Sequence, residues 1–186
     1  MHSIHTAMIL SDSEILQQMK RENIVIRPFH REYLGSNSYD VHLGKWLGMY
    51  REEVLDAKKH NRIHYFNIPK EGLVLVPSKL YLGVTEEYTE THKHVPFLEG
   101  KSSIGRLGID IHATAGKGDV GFCNYWTMEI SVRQPVRIYA GMPIGQLIYF
   151  EINGEVVVPY GKKKSAKYVR LAPKPVESMM WKNFGK

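Results

Sequence analysis

The spacing of hydrophobic positions changes along the chain. Ile15, Leu16 and Met19 recur at helical spacing behind Ser11-Asp12-Ser13-Glu14, which has the S-x-x-E form of a capping box. One short amphipathic helix is predicted there. Residues 23–28 alternate as a strand, and the turn-forming residues 35–38 lead into a second strand over 39–43. The charged segment 51–62 suits either a helix carrying Val54, Leu55 and Lys58 or an irregular insertion. From Leu73 onward strands dominate, over 73–76, 80–85, 109–114, 126–132, 136–139, 144–152 and 156–158. Gly and Pro separate them at short intervals, which predicts a mostly antiparallel barrel or jelly roll and argues against repeated strand–helix–strand units. Residues 171–186, with Pro173 and Pro175, read as an extended tail without a core of its own.

Composition narrows the picture. The chain has 186 residues, 43% of them hydrophobic, which suits one globular domain over 1–186 and excludes intrinsic disorder. No stretch reaches the roughly 18 apolar residues of a membrane span. The opening MHSIHTA lacks the apolar core of a secretory signal, so a soluble, cytoplasmic protein without membrane partners is expected. Cys123 is the only cysteine, which excludes an internal disulfide, a Cys-rich zinc site and a CxxC redox pair. Net charge is +6, yet eight basic residues stand against Glu177 alone from Lys162 on, so the remaining sequence sums to −1. A basic tail of this kind suits a solvated arm, a nucleic-acid contact or a flap over a compact polyanion.

Three clusters carry candidate chemistry. In residues 99–108, Lys101, Ser102, Ser103 and Arg106 lie among three glycines. Backbone N–H groups and charged donors there suit phosphate oxygens, although the GxxxxGK[ST] spacing is missing and a plain Gly-rich turn stays open. Asp119 is the single carboxylate in the glycine-rich run 111–122, placed either to hold a hydroxyl or to stabilise its own turn. Glu129 shares one face of an alternating strand with Thr127 and Ser131, opposite Trp126, Met128, Ile130 and Val132. That face is either solvated or the wall of a pocket, where burial would raise the carboxyl pKa toward the range of a general base. The nine histidines are scattered. His92-Lys93-His94 comes nearest to metal-ligand spacing and reads as a solvated loop. The P-C-x-x-C element of zinc-dependent deaminases is absent.

Taken in order, these segments resemble the dCTP deaminase branch of the dCTP deaminase/dUTPase superfamily. The resemblance runs from Met8-Ile9-Leu10-Ser11-Asp12 through SYDVHLG (38–44), EGKSSIGRLG (99–108), residues 113–129 and GMPIGQL (141–147) to Pro159-Tyr160 and Ala166-Lys167-Tyr168. Residues 1–7 form an extension outside it. The resemblance implies a mainly β, dUTPase-like jelly-roll subunit in a homotrimer, with each active site at a subunit interface. It implies metal-free hydrolytic deamination of cytosine at C4, with Glu129 as the base and Ser102 and Arg106 beside it. The backbone at Ala115 would orient the attacking water, and Asp119 would hold the deoxyribose 3′-hydroxyl. Lys101, Ser102, Ser103 and Arg106 would meet the phosphates, while Tyr160 and Lys167 close the 161–186 tail over the nucleotide. Magnesium is implied on the triphosphate, with no zinc and no metal held by the protein, and dTTP joins dCTP and dUTP as a candidate ligand. Glu129 separates this branch from plain dUTPases, which carry an apolar residue there.

Four positions depart from that pattern. Gly118 and Val120 flank Asp119 in place of Ile or Val and of Pro, Asn124 replaces Gly, and Leu171 replaces a Gln that reaches the nucleotide. The departures are expected to loosen the loop and weaken tail closure. The leading expectation is conversion of dCTP to dUTP and ammonia. Ala115-Gly116 resembles bifunctional members that release dUMP and pyrophosphate, which is the alternative. A non-catalytic nucleotide binder on the same fold is a further reading, and nucleic-acid binding ranks last because the tail lacks interleaved aromatic residues.

Overall fold

The computed structural model describes residues 8–185, so the 1–7 extension lies outside the described residues. The predicted helix is present as α1 (Asp12–Lys20). The Ser11 hydroxyl accepts the Glu14 N–H at 3.3 Å. The Glu14 carboxylate turns to Gln18 at 2.6 Å, so the capping box is half formed. Ile15 faces inward and is fully buried.

Ten strands follow: β1 (Ile24–Arg27), β2 (Tyr39–Tyr50), β3 (Ile63–Asn67), β4 (Leu73–Leu75), β5 (Tyr81–Thr91), β6 (Val95–Gly100), β7 (Ile109–Asp110), β8 (Cys123–Val132), β9 (Val136–Ile138) and β10 (Pro143–Phe150). A second short helix, α2 (Ser102–Arg106), joins β6 to β7. Every pairing is antiparallel. Eight strands form one barrel-like sheet in the order β6-β10-β2-β5-β8-β7, with β1 added to β5 and β3 to β2, while β4 and β9 pair separately. The mainly β expectation holds. Among the described residues no helix is long and apolar enough to cross a membrane.

Several predicted boundaries move, each for a physical reason. β2 runs past 43 because its two halves find different partners, β10 first and β3 later. The strand expected over 109–114 ends at Asp110, where the chain leaves the sheet to form a loop. Residues 156–158 form no strand; Val157 is 92% exposed, with no neighbouring strand to take up its backbone groups. The segment 51–62 is an irregular loop, closed where the Arg51 N–H donates to the Arg62 carbonyl at 3.0 Å.

The core lies inside the barrel and is one continuous cluster. β8 alternates strictly, burying Asn124, Trp126, Met128, Ile130 and Val132 while its other residues stay partly exposed. Each large side chain buried this way contributes roughly 1.5–3 kcal/mol. Where β5 bulges against β8, a buried His42–Glu87 pair at 2.7 Å joins β5 to β2, and burial pushes the Glu87 carboxyl above its ordinary value.

Candidate active site

The alternation that buries Met128 and Ile130 turns Thr127 and Glu129 to the other face of β8. That face is a wall of a cavity of about 640 Å³, within the usual range for small-molecule sites. Leu80, Leu82, Tyr50 and residues 113–119 close its other sides. Glu129 is therefore half-buried in the cavity wall. Burial raises its carboxyl pKa, opposed by the Ala113 backbone N–H and by His112. The result is a carboxylate that holds a proton more readily than a surface glutamate.

Asp119 stands at the mouth of the same cavity. Lys117 meets it at 2.6 Å and Lys163 of the tail at 3.1 Å, and these bonds hold its carboxyl below the usual carboxylate value. Gly118 has a steric reason: a Cβ there would come within 2.7 Å of the Trp126 ring and 2.9 Å of Pro96. Val120 is buried. Gly121 takes φ +88°, and a Cβ would strike Pro159 at 2.6 Å, so this residue lets the tail cross the loop. The Tyr160 N–H then donates to the Val120 carbonyl at 2.8 Å. The expectation of a loosened loop is corrected by these contacts.

The tail returns across the cavity and supplies Tyr160, Tyr168, Ala172, Val176 and Ser178 to its lining. Asn124 holds it. This side chain is buried, donates to the carbonyls of Tyr168 at 3.1 Å and Arg170 at 2.9 Å, and accepts from Ala172 N–H at 3.0 Å. Val176 N–H donates to Thr127 Oγ1 at 3.1 Å, and Ser178 N–H to the Tyr50 hydroxyl at 2.9 Å. Farther along, the 51–62 loop gains a role as an anchor. His60 pairs with Glu177 at 2.7 Å and packs on Trp181, while Lys174 lies 3.8 Å over the Trp46 ring. The tail is thus folded onto the barrel, with Pro175 buried, and is not a free extended arm.

Within one chain the structure brings together Ala115, Asp119, Glu129 and Tyr160. It does not bring Lys101, Ser102, Ser103, Arg106 or Lys167 to that lining. The first four belong to α2 and the Lys101 that precedes it. Arg106 donates to Ser102 at 3.2 Å, Lys101 pairs with Asp40, and Ile104 anchors the turn in the core. Leu171 is 60% exposed and faces a separate hollow. His92 and His94 part company: His94 is buried, and His92 meets Glu90 at 2.8 Å. Sequence reasoning missed Tyr50, Lys163 and Asn124. Only the hydroxyl of Thr127, alternating with Glu129, left a signal of its place at the cavity.

The model of the dCTP deaminase-like family matches residues 9–152. The chain belongs to that family. A relative from Clostridium acetobutylicum is 52% identical over 161 residues, covering 87% of this chain and 90% of its own length. One from Leptospira biflexa is 46% identical over 180 residues, covering 96% and 99%. Both carry the name "dCTP deaminase, dUMP-forming". Those names overturn dUTP as the expected end product. Among solved structures, the 2'-deoxycytidine 5'-triphosphate deaminase from Agrobacterium tumefaciens shares the fold at a TM-score of 0.63 and 21% identity. The match covers 79% of this chain and 49% of that one, so the chain spans about half that protein's length.

Asn124→Ala removes three bonds to the tail. It is expected to cost about 1–3 kcal/mol locally and to speed hydrogen exchange at the Ala172 amide, with β8 below Met128 unchanged. Unaltered exchange at Ala172 would show that the tail is held elsewhere.

Proposed function

We propose that this protein deaminates dCTP and releases dUMP and pyrophosphate, supplying dUMP for thymidylate synthesis in the cytoplasm. The observation that carries the reading is Glu129, a half-buried carboxyl with a raised pKa in a cavity wide enough for a nucleoside. As a water oxygen attacks C4 of cytosine, the carboxylate takes the water's proton. It returns that proton to the amine as the C4–N bond breaks and ammonia leaves. One group with an intermediate pKa serves in both directions. The Ala115 backbone orients the water, and Asp119 accepts the deoxyribose 3′-hydroxyl. Tyr160, which lines the cavity, closes the tail over the nucleotide.

A second water then attacks the α-phosphorus, and the bond to the bridging oxygen breaks to release pyrophosphate. The names of the relatives support this step. So does Gly116, where a Cβ would stand 2.7 Å from the Leu98 carbonyl, leaving no room for the bulkier polar residue of dUTP-releasing members. Lys117 and Lys163 already pair with Asp119, which makes it a poor holder of a free cation. Magnesium accordingly travels on the triphosphate, held by its oxygens and water, and neutralises part of its charge when bound. dTTP shares the sugar and triphosphate and fits the same contacts as a competitor.

Lys101, Ser102, Ser103 and Arg106 lie outside the cavity of their own chain, so the proposal includes a homotrimer in which a neighbouring copy brings them to the phosphates and to the reacting water.

Glu129→Gln keeps the shape and removes the base. Turnover should fall about 10²–10⁴-fold while dCTP affinity, measured by calorimetry, is retained; retained turnover would contradict the assignment. In the unaltered protein, kcat/KM should fall with acid through a pKa above the 4.5 of an ordinary glutamate, because the base must be ionised. A flat profile across that limb would contradict it too.

The shared site has its own test. Glu129→Gln and Arg106→Ala, each inactive alone, should regain about a quarter of wild-type activity when refolded together, since mixed trimers rebuild intact sites between unlike neighbours. Absence of recovery would place both residues in one subunit's site.

A further inference from the structure

Glu90 and His92 are separated by one residue at the end of β5, and Cys123 opens β8 directly across from Glu90. The period of a strand puts Glu90 and His92 on one face, and the register adds the thiol. The candidate ligand atoms of all three lie within 4.8 Å of one another, with His92 Nε2 2.8 Å from a Glu90 oxygen. Among the described residues this is the one such trio of His, Cys and carboxylate side chains.

The backbone beneath the trio is pinned. Thr91 N–H donates to the Phe122 carbonyl at 3.1 Å, Gly121 N–H to the Thr91 carbonyl at 2.7 Å, and His92 N–H to the Asn23 carbonyl at 2.9 Å. Cys123 faces the hollow that also takes Leu171, and only Tyr125 is shared between its lining and that of the Glu129 cavity.

We propose that Glu90, His92 and Cys123 form a site for a divalent d-block cation, zinc foremost, separate from the site of deamination. One sulfur, one nitrogen and one oxygen donor suit a borderline metal ion and not magnesium or calcium, which take oxygen ligands. Zinc bonds of about 2.0–2.3 Å place tetrahedral ligand atoms roughly 3.3–3.7 Å apart. The Glu90–His92 contact opens slightly and the thiol closes to meet that spacing, both by side-chain rotation. The thiol loses its proton on binding, and the three protein ligands leave one position for water. A bound cation ties the end of β5 to the start of β8, next to Asn124 and therefore next to the tail it holds.

The test uses the full chain, stripped with a chelator and kept under a reductant that lacks a thiol, with Co²⁺ as the probe. A thiolate-to-cobalt charge-transfer band should appear, saturate at one ion per chain and be bleached by one equivalent of Zn²⁺. Cys123→Ser should abolish the band, and His92→Gln, an exposed position where folding is not at risk, should weaken binding about tenfold or more. Stripped of d-block ions and then supplied with magnesium, both variants should process dCTP at the wild-type rate. Absence of the band overturns the proposal, as does a band that persists in Cys123→Ser. Binding unchanged in His92→Gln reduces the site to adventitious capture by a thiol and overturns it as well.

Discussion

The two-residue period of β8 is the constraint on which the rest depends. A strand cannot bury Met128 and Ile130 without presenting Thr127 and Glu129 on its opposite face. In an open sheet that face would be wet. Here the chain folds back on itself, and Thr127 takes a backbone hydrogen bond from Val176. The same strand is thus core on one side and cavity wall on the other, and the raised pKa of Glu129 is a consequence of that covering.

Covering the wall required somewhere to fasten the tail, and the fastenings explain features that seemed out of place along the chain. Asn124 binds three tail backbone groups at the opening of β8. Gly121 clears the crossing point for Pro159. The 51–62 loop, otherwise a charged digression between β2 and β3, supplies His60 to Glu177 and Trp181. Two of the tail's lysines are occupied in the same way: Lys163 lies on Asp119 and Lys174 on Trp46.

What could be read in advance followed from local rules. The Ser11 cap, the alternation of β8 and the Gly/Pro punctuation of an antiparallel sheet are each set by neighbours in sequence, and the structure contains them. Glu129 was legible as a two-sided choice, because alternation names the face but not what covers it. The covering comes from residues some 50 positions away, to which no local pattern points. For the same reason Asn124 read as a defect while serving as a latch, and Tyr50 gave no signal. The β6 and β3 strands passed unread because Pro96 interrupts one and His64 and Asn67 blur the pattern of the other. The α2 turn passed because its glycines suggested a loop, while the buried Ile104 made it helical. Residues 101–106 lie away from the Glu129 cavity of their own chain, a separation that no local pattern announces.

The most direct measurement is of the products formed from dCTP and magnesium, resolved chromatographically over a single time course with dUTP as a parallel substrate. Equal amounts of dUMP and pyrophosphate, with ammonia and without accumulating dUTP, are the predicted result. Accumulation of dUTP as a free product, or dCTP returned unchanged, would contradict the account.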